Sequence, residues 1–406
     1  MHYNWLRLVF FFEYFRPGTY LPVLNMLKIG TILPLSLVAA AFIQKLPSGY
    51  VTNGEFLRKR DTRWLLFFLF LILLSVMTAD VTLYSYRVFK GVVGFFFLYY
   101  LVIRLVNNQQ KLKGLVGVLI VCHILLLILN PDIILNPATR SYINHNYLGD
   151  GNDFALSINI LIPLIIFIYL NSKNIFLKLA ALGGIVSLIL TVIGTQSRGG
   201  TLALCCIMIY LWWHSSRKLY GVIALVVVVG LVFSYAPKAY FDRMQSIAHY
   251  QEEGSAQGRI MAWKASLRMA VDHPILGVGA GHFPVKYGAE YYPPDAPPSG
   301  PWLTAHSIYF LALGELGLPG IVFLFCVMFG SMFRIEKKLV GIPKLKKELK
   351  KDRQLLISVN AGIIGLAVGG AFLSVLYYPH LFVIIGLKNA ALHIIDANKQ
   401  EKSLAK

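Results

Sequence analysis

LTAHSIYFLALGELGLPGIVFLFCVMFGSMF, residues 303–333, is the stretch on which the reading of this chain turns. It is long enough to cross a bilayer, which takes roughly 20 mostly apolar residues in a helix because every backbone amide must be bonded inside the segment. It nevertheless has His306 near its start and Glu315 inside it. A lone carboxylate is costly in hydrocarbon, so Glu315 must be protonated, paired or turned toward a polar cavity. Gly314, Gly317, Pro319 and Gly320 around it predict a kinked or closely packed helix.

The rest of the chain repeats the pattern. Apolar runs at 24–43, 64–78, 88–106, 115–129, 154–170, 175–193, 201–213, 219–235, 355–377 and 381–395 read as further spans, and the shorter 6–15 is marginal in length. With 57% hydrophobic and 14% charged residues, the chain is too apolar to hide its surface around one water-soluble core. The expectation is an all-α polytopic membrane protein of about twelve transmembrane helices, with 1–406 forming a single membrane domain. Arg7 ahead of the run 8–12 resembles a secretory signal, but Glu13 and Arg16 interrupt it and no small-residue cleavage site follows, so it is kept in the mature chain.

Basic loops stay on the cytoplasmic side. Segment 334–353 has nine Lys and Arg against three Asp and Glu, and is read as a basic cytoplasmic loop. Segment 236–302 balances six against six and is read as a large periplasmic loop inserted between spans. The net charge of +19 is thereby topogenic, and a nucleic-acid partner has little support. Cys122, Cys205, Cys206 and Cys326 all fall in apolar runs, so neither a disulfide nor a metal site is expected. His145, His273 and His282 lack the spacing of a metal set, and GVGAG, 277–281, lacks the strand-to-helix setting of a nucleotide loop.

Within the large loop, Ile260, Trp263, Leu267 and Val271 recur at helical spacing and predict an amphipathic helix, with Ser255 as its cap and 272–274 as its end. Such a helix suits the membrane boundary or a cavity mouth. The proline-rich YYPPDAPPSGP that follows is expected to be extended. Polar residues at the outer boundary are the candidates for chemistry. Arg198, with Gly199 and Gly200 at the start of a span, fits an anion site at a helix N-terminus, or an arginine reaching lipid headgroups. Arg259 in a first helical turn opposes the macrodipole and points to a bound anion, or is a solvated loop residue. His306 is the natural base near neutrality, or a hydrogen-bonded helix-boundary residue.

QSRGGTLAL, with Arg198 and Leu202 in an Arg-x3-Leu pattern, GRIMAWKASL followed by HPILGVGAGHF, and HSIYFLALGELGLPG together resemble the O-antigen ligase and O-antigen polymerase superfamily of bacterial envelope glycosyltransferases. His306, Ser307, nine residues, then Gly317 and Gly320 fit the ligase-type histidine pattern. The resemblance runs from about residue 194 to 320 and extends to NHNYLGDGNDFAL in the first half. It implies a GT-C-type fold in the bacterial inner membrane with its site facing the periplasm and no cofactor. It implies transfer of a glycan from undecaprenyl diphosphate to a hydroxyl of the lipid A core oligosaccharide, metal-independent and inverting. Arg198 and Arg259 would hold the diphosphate and His306 the acceptor proton; Arg140, Asn152, Asp153, Ser307 and Glu315 form a second tier. An O-antigen polymerase and a lipid-linked sugar flippase are the rival readings.

Overall fold

The computed structural model describes every residue except 1, 45, 48, 138–141, 144, 146, 246–253, 294–301, 343–348 and 405–406. Thirteen principal helices follow in order: α1 (His2–Tyr14), α2 (Ile29–Ile43), α3 (Arg60–Thr78), α4 (Thr82–Leu105), α5 (Gln109–Leu129), α6 (Gly151–Asn171), α7 (Ile175–Gly194), α8 (Arg198–His214), α9 (Lys218–Tyr235), α10 (Gly254–Asp272), α11 (Ile308–Val340), α12 (Lys350–Gly370) and α13 (Pro379–Leu404). No strand occurs among the described residues. Nine of these helices are long and apolar enough to cross a membrane. Each of the other expected runs is also helical but shorter, with α1 at 13, α2 at 15 and α8 at 17 residues.

Local chemistry sets several helix starts. Asn108, Asp150, Asn174 and Ser197 each place a side-chain oxygen on an amide of the following turn, as at Asn152 N to Asp150 Oδ1, 2.7 Å, and Gly200 N to Ser197 Oγ, 3.0 Å. The run expected at 24–43 is broken in two, because Lys28 takes a left-handed conformation at φ 51° between Pro22–Met26 and α2. The spans expected at 303–333 and 355–377 also begin or end differently. Residues 303–307 precede α11 instead of opening it, and 371–377 form a turned passage between α12 and α13.

The bundle is centred on α12, which packs against α6, α8, α11 and α13. Small residues make this possible. A Cβ at Gly362 would lie 3.0 Å from the Ile160 carbonyl oxygen of α6, and one at Gly365 would lie 2.9 Å from Ile207 of α8. Helices that associate in lipid gain from close approach rather than from escaping water, so glycine serves packing here. At the opposite extreme, α9 buries none of its apolar window.

Polar contacts divide the bundle into two ends. One end gathers Gln109 with Asp352 (2.8 Å), Asn171 with Gln354 (3.0 Å), His214 with Glu336 (3.3 Å), and Lys338 with Asp396. Just inside it, Asp61 of α3 accepts from Lys388 of α13 and Arg334 of α11, and from Asn389 Nδ2 at 2.9 Å. Lys388 is fully buried. Uncompensated, either charge would cost several kcal/mol there, so the pair ties three helices together. The other end gathers the segments before α6, α8, α11 and α13, together with α10. Its outer loop is strapped to the α3–α4 corner by Ser85 Oγ to the Ala280 carbonyl, 2.8 Å, by Val81 N to His282 Nε2, 3.1 Å, and by Lys286 with Asp80, 2.6 Å.

The helix read from Ile260, Trp263, Leu267 and Val271 is α10, but its buried face is different. Ala262, Ala265, Ser266 and Met269 turn inward onto α11, while Leu267 is 50% and Val271 78% exposed. Small side chains win the interface because Gly314 of α11 comes close: its Cβ would lie 3.0 Å from Ser266 Oγ. Large apolar groups gain little from burial when hydrocarbon is the surrounding solvent. Ser255 lies within the helix, one residue after its start at Gly254.

Candidate functional site

His306 is the focus of the second end. It is one of four non-glycine residues with positive φ, at 46°, among the described residues. A left-handed residue costs about 1–2 kcal/mol, although histidine is among the types that tolerate it better. Its neighbours hold it in place. Ala305 is fully buried, Ser307 is 2% exposed, and the Ser307 carbonyl accepts from Leu311 N at 2.9 Å to open α11. Thr304 Oγ1 donates to Ser374 Oγ at 2.8 Å, and Trp263 Nε1 donates to the Ala305 carbonyl at 3.0 Å. The imidazole itself makes no hydrogen bond among the described residues. Burial first, then the charge of Arg259, hold its pKa below the ordinary histidine value, while Asp150 pulls the other way. The ring is therefore neutral, and able to take a proton, at a lower pH than a solvated histidine.

Four of the residues read from the sequence stand at this end of the bundle, on three elements. Arg259 is half-buried on α10, one helical turn before Trp263, and its charge reaches His306. Asn152 and Asp153 open α6 behind Asp150, whose Oδ1 accepts from the Asn152 amide at 2.7 Å and its side-chain nitrogen at 2.9 Å. Arg198 opens α8, half-buried, just after Gln196 in a left-handed conformation at φ 52°. The passage 371–378 bridges them: Phe372 lies against Gly199, and Ser374 bonds Thr304. Tyr378 lies between, its hydroxyl pKa raised by burial and by the charges of Asp153 and Asp150.

The glycines of QSRGG have a packing role. A Cβ at Gly199 would lie 3.1 Å from Phe372, and one at Gly200 would lie 2.8 Å from Ala155. The Gly200 amide is also occupied by Ser197 Oγ. They let α8 seat against α6 and the 371–378 passage, which is how Arg198 comes to this end; the space they leave is filled by protein.

Glu315 is committed elsewhere. Its carboxyl oxygens accept from Gly281 N (2.8 Å), Phe283 N (2.8 Å) and the Tyr377 hydroxyl (2.7 Å). Around it α11 is broken at Gly317, with φ 64° and ψ −159°. The carbonyls of Gly314 and Glu315 accept from Val278 N (2.9 Å) and Gly279 N (3.0 Å), and Leu318 N donates to the Pro274 carbonyl (2.9 Å). A Cβ at Gly317 would lie 2.5 Å from that Pro274 oxygen. The GVGAGHF loop thus inserts its backbone into the break, and Glu315 fastens it there. The glutamate tethers the GVGAGHF loop through hydrogen bonds from two backbone amides and a tyrosine hydroxyl.

Arg140 lies outside the described residues. Among those described, no three His, Cys, Asp or Glu side chains gather as a metal set. Asp150 was not singled out from the sequence, because its charge acts on His306 across residues 156 positions apart, from 150 to 306. Tyr378, Thr304 and Ser374 carried no sequence signal of their own.

Residues 183–325 match the family model described as O-antigen ligase. The match takes in Arg198, Arg259, His306 and Glu315 together. No curated protein matches the chain.

Proposed function

We propose, from the match of residues 183–325 to the family model described as O-antigen ligase, that the chain is the ligase: a GT-C-type membrane glycosyltransferase of the bacterial inner membrane. It moves a glycan from undecaprenyl diphosphate to a hydroxyl of the lipid A core oligosaccharide. The observation that carries this reading is the placement of His306, whose imidazole makes no hydrogen bond among the described residues, within the field of Arg259, at the end of the bundle where Arg198 also stands. A diphosphate leaving group needs its growing charge neutralised, and two guanidinium groups fixed on α8 and α10 supply that without a metal ion. The acceptor oxygen attacks the anomeric carbon as the bond to the diphosphate breaks. The bonding pair leaves with the diphosphate, and the acceptor proton passes to His306. A single displacement of this kind inverts the anomeric centre.

Arg334, Lys338 and Arg353, described residues of the basic segment 334–353, stand at the opposite end, which favours a cytoplasmic location for that end and a periplasmic one for the site. The ligase-type spacing of His306, Ser307, Gly317 and Gly320 favours ligation over polymerisation. Reconstitution of the purified protein with lipid-linked glycan and rough lipopolysaccharide tests it. Glycan should appear on the lipopolysaccharide, and His306→Ala should slow this by about 10²- to 10⁴-fold while donor still binds. Longer lipid-linked glycan in place of modified lipopolysaccharide would make the protein a polymerase. Inhibition by EDTA that Mg2+ reverses would overturn metal independence.

A further inference from the structure

We propose that Trp263 is a positioning residue: its indole N–H and its stack on Phe310 hold His306 in its left-handed conformation and in register with Arg259. The inference rests on the role given to His306 above.

Read from sequence, Trp263 was part of an apolar stripe. In the structure it does two things that a stripe residue need not do. Its ring lies flat on Phe310, 5.1 Å between centroids and 12° between planes, and its Nε1 donates to the carbonyl of Ala305 at 3.0 Å. Phe310 is in the first turn of α11 and Ala305 immediately precedes His306, so one side chain grips the chain on both sides of the histidine. Ala305 is fully buried, and a carbonyl left unpaired there would carry its whole desolvation cost.

The conformation being held is one that needs holding. A non-glycine residue at φ 46° persists only where its surroundings over-determine it. Two side-chain bonds hold the segment just before His306: Thr304 to Ser374, which anchors it to the 371–378 passage, and Trp263 to Ala305, which anchors it to α10. Only the second involves the helix that bears Arg259. Arg259 and Trp263 are four residues apart and so share a helix face. The indole bond therefore links the guanidinium's helix to the segment that bears the base. The residue type fits the task, because tryptophan is a donor-only ring large enough to stack and reach a carbonyl at once.

The test separates the N–H from the ring. Trp263→Phe keeps an aromatic face and loses the donor; replacement of Trp263 by benzothienylalanine keeps the bicyclic size and stack and loses only the N–H. Two readouts are taken on the reconstituted full-length protein. One is the rate at which diethyl pyrocarbonate modifies His306, followed by mass spectrometry, which senses the histidine's surroundings whether or not it is catalytic. The other is kcat and the donor KM for glycan transfer. In both variants His306 should be modified severalfold faster, and kcat should fall about tenfold, the scale of one lost hydrogen bond, with donor KM changed less than twofold. Wild-type modification rate and wild-type kcat in the benzothienylalanine protein would overturn the proposal, whatever the phenylalanine variant does. Faster modification with unchanged kcat would leave the tether standing and remove His306 from catalysis instead.

Discussion

Two charges of opposite sign act on the imidazole of His306, and they make its titration a test of the site. Arg259 and burial depress its pKa, and Asp150 raises it. If His306 is the base, the acid limb of kcat/KM lies below the ordinary histidine value of about 6.5. Asp150→Asn keeps the cap on α6, because asparagine caps a helix as well as aspartate does, but removes the opposing charge. The limb should then move to still lower pH; a limb that moves up, or stays fixed while His306→Ala remains inactive, would break the link between this carboxylate and the base. Arg198 calls for a different measurement, because geometry and charge are separable in it. A guanidinium grips phosphate oxygens in pairs and an ammonium does not, so Arg198→Lys should recover little of the turnover lost in Arg198→Ala. Full recovery would reduce Arg198 to an interfacial charge.

α11 is the element in which the apolar and polar readings of the chain meet. Its break at Gly317 frees carbonyls and an amide that a continuous helix would have used, and the 274–281 backbone takes them up. Glu315 then adds three bonds from the same side of the kink, two of them from backbone amides. A glutamine can offer one oxygen but must turn its NH2 toward either the Phe283 amide or the Gly281 amide, so a donor faces a donor. Glu315→Gln is therefore expected to lower stability by about 2–3 kcal/mol and Tyr377→Phe by about 1 kcal/mol, read as unfolding midpoints in detergent. A glutamine variant as stable as the parent would mean that the loop is held by its backbone bonds alone. α10 depends on the same join, since Ser266 donates to the Phe310 carbonyl and Gly314 admits the helix face that carries Ser266 and Met269.

Across the whole molecule, the two ends differ in what they gather. Asp61 with Lys388 and Arg334, Asp352 with Gln109, Glu336 with His214 and Asp396 with Lys338 gather at one end, while His306, Arg198, Arg259 and Asp150 stand at the other. Orientation in the membrane follows if the basic end is cytoplasmic. Single cysteines introduced for the exposed Glu290 and Gly341, in a background with Cys122, Cys205, Cys206 and Cys326 replaced, should react with a membrane-impermeant maleimide from opposite sides. Reaction of both from the same side would remove the topology and, with it, the periplasmic site. The Asp61–Lys388–Arg334 cluster is expected to hold α3, α11 and α13 together whichever way the bundle faces.

Hydropathy alone determined that this chain is a helical membrane protein and roughly where its helices lie, because a backbone in hydrocarbon has no alternative to bonding within each span. The motifs around Arg198, Arg259 and His306 were likewise legible, as polar residues that a bilayer would otherwise exclude. What lay beyond the sequence were the relations between segments. Which face of α10 is buried depends on how closely Gly314 lets it approach. Whether Glu315 is a reactant or a tether depends on a loop more than thirty residues earlier in the chain. That Asp150 and Trp263 act on His306 depends on helices whose order in space no local pattern records. Burial of large apolar side chains is a weak guide where the solvent is itself apolar, and close contact, backbone pairing and charge proximity are properties of the assembled bundle.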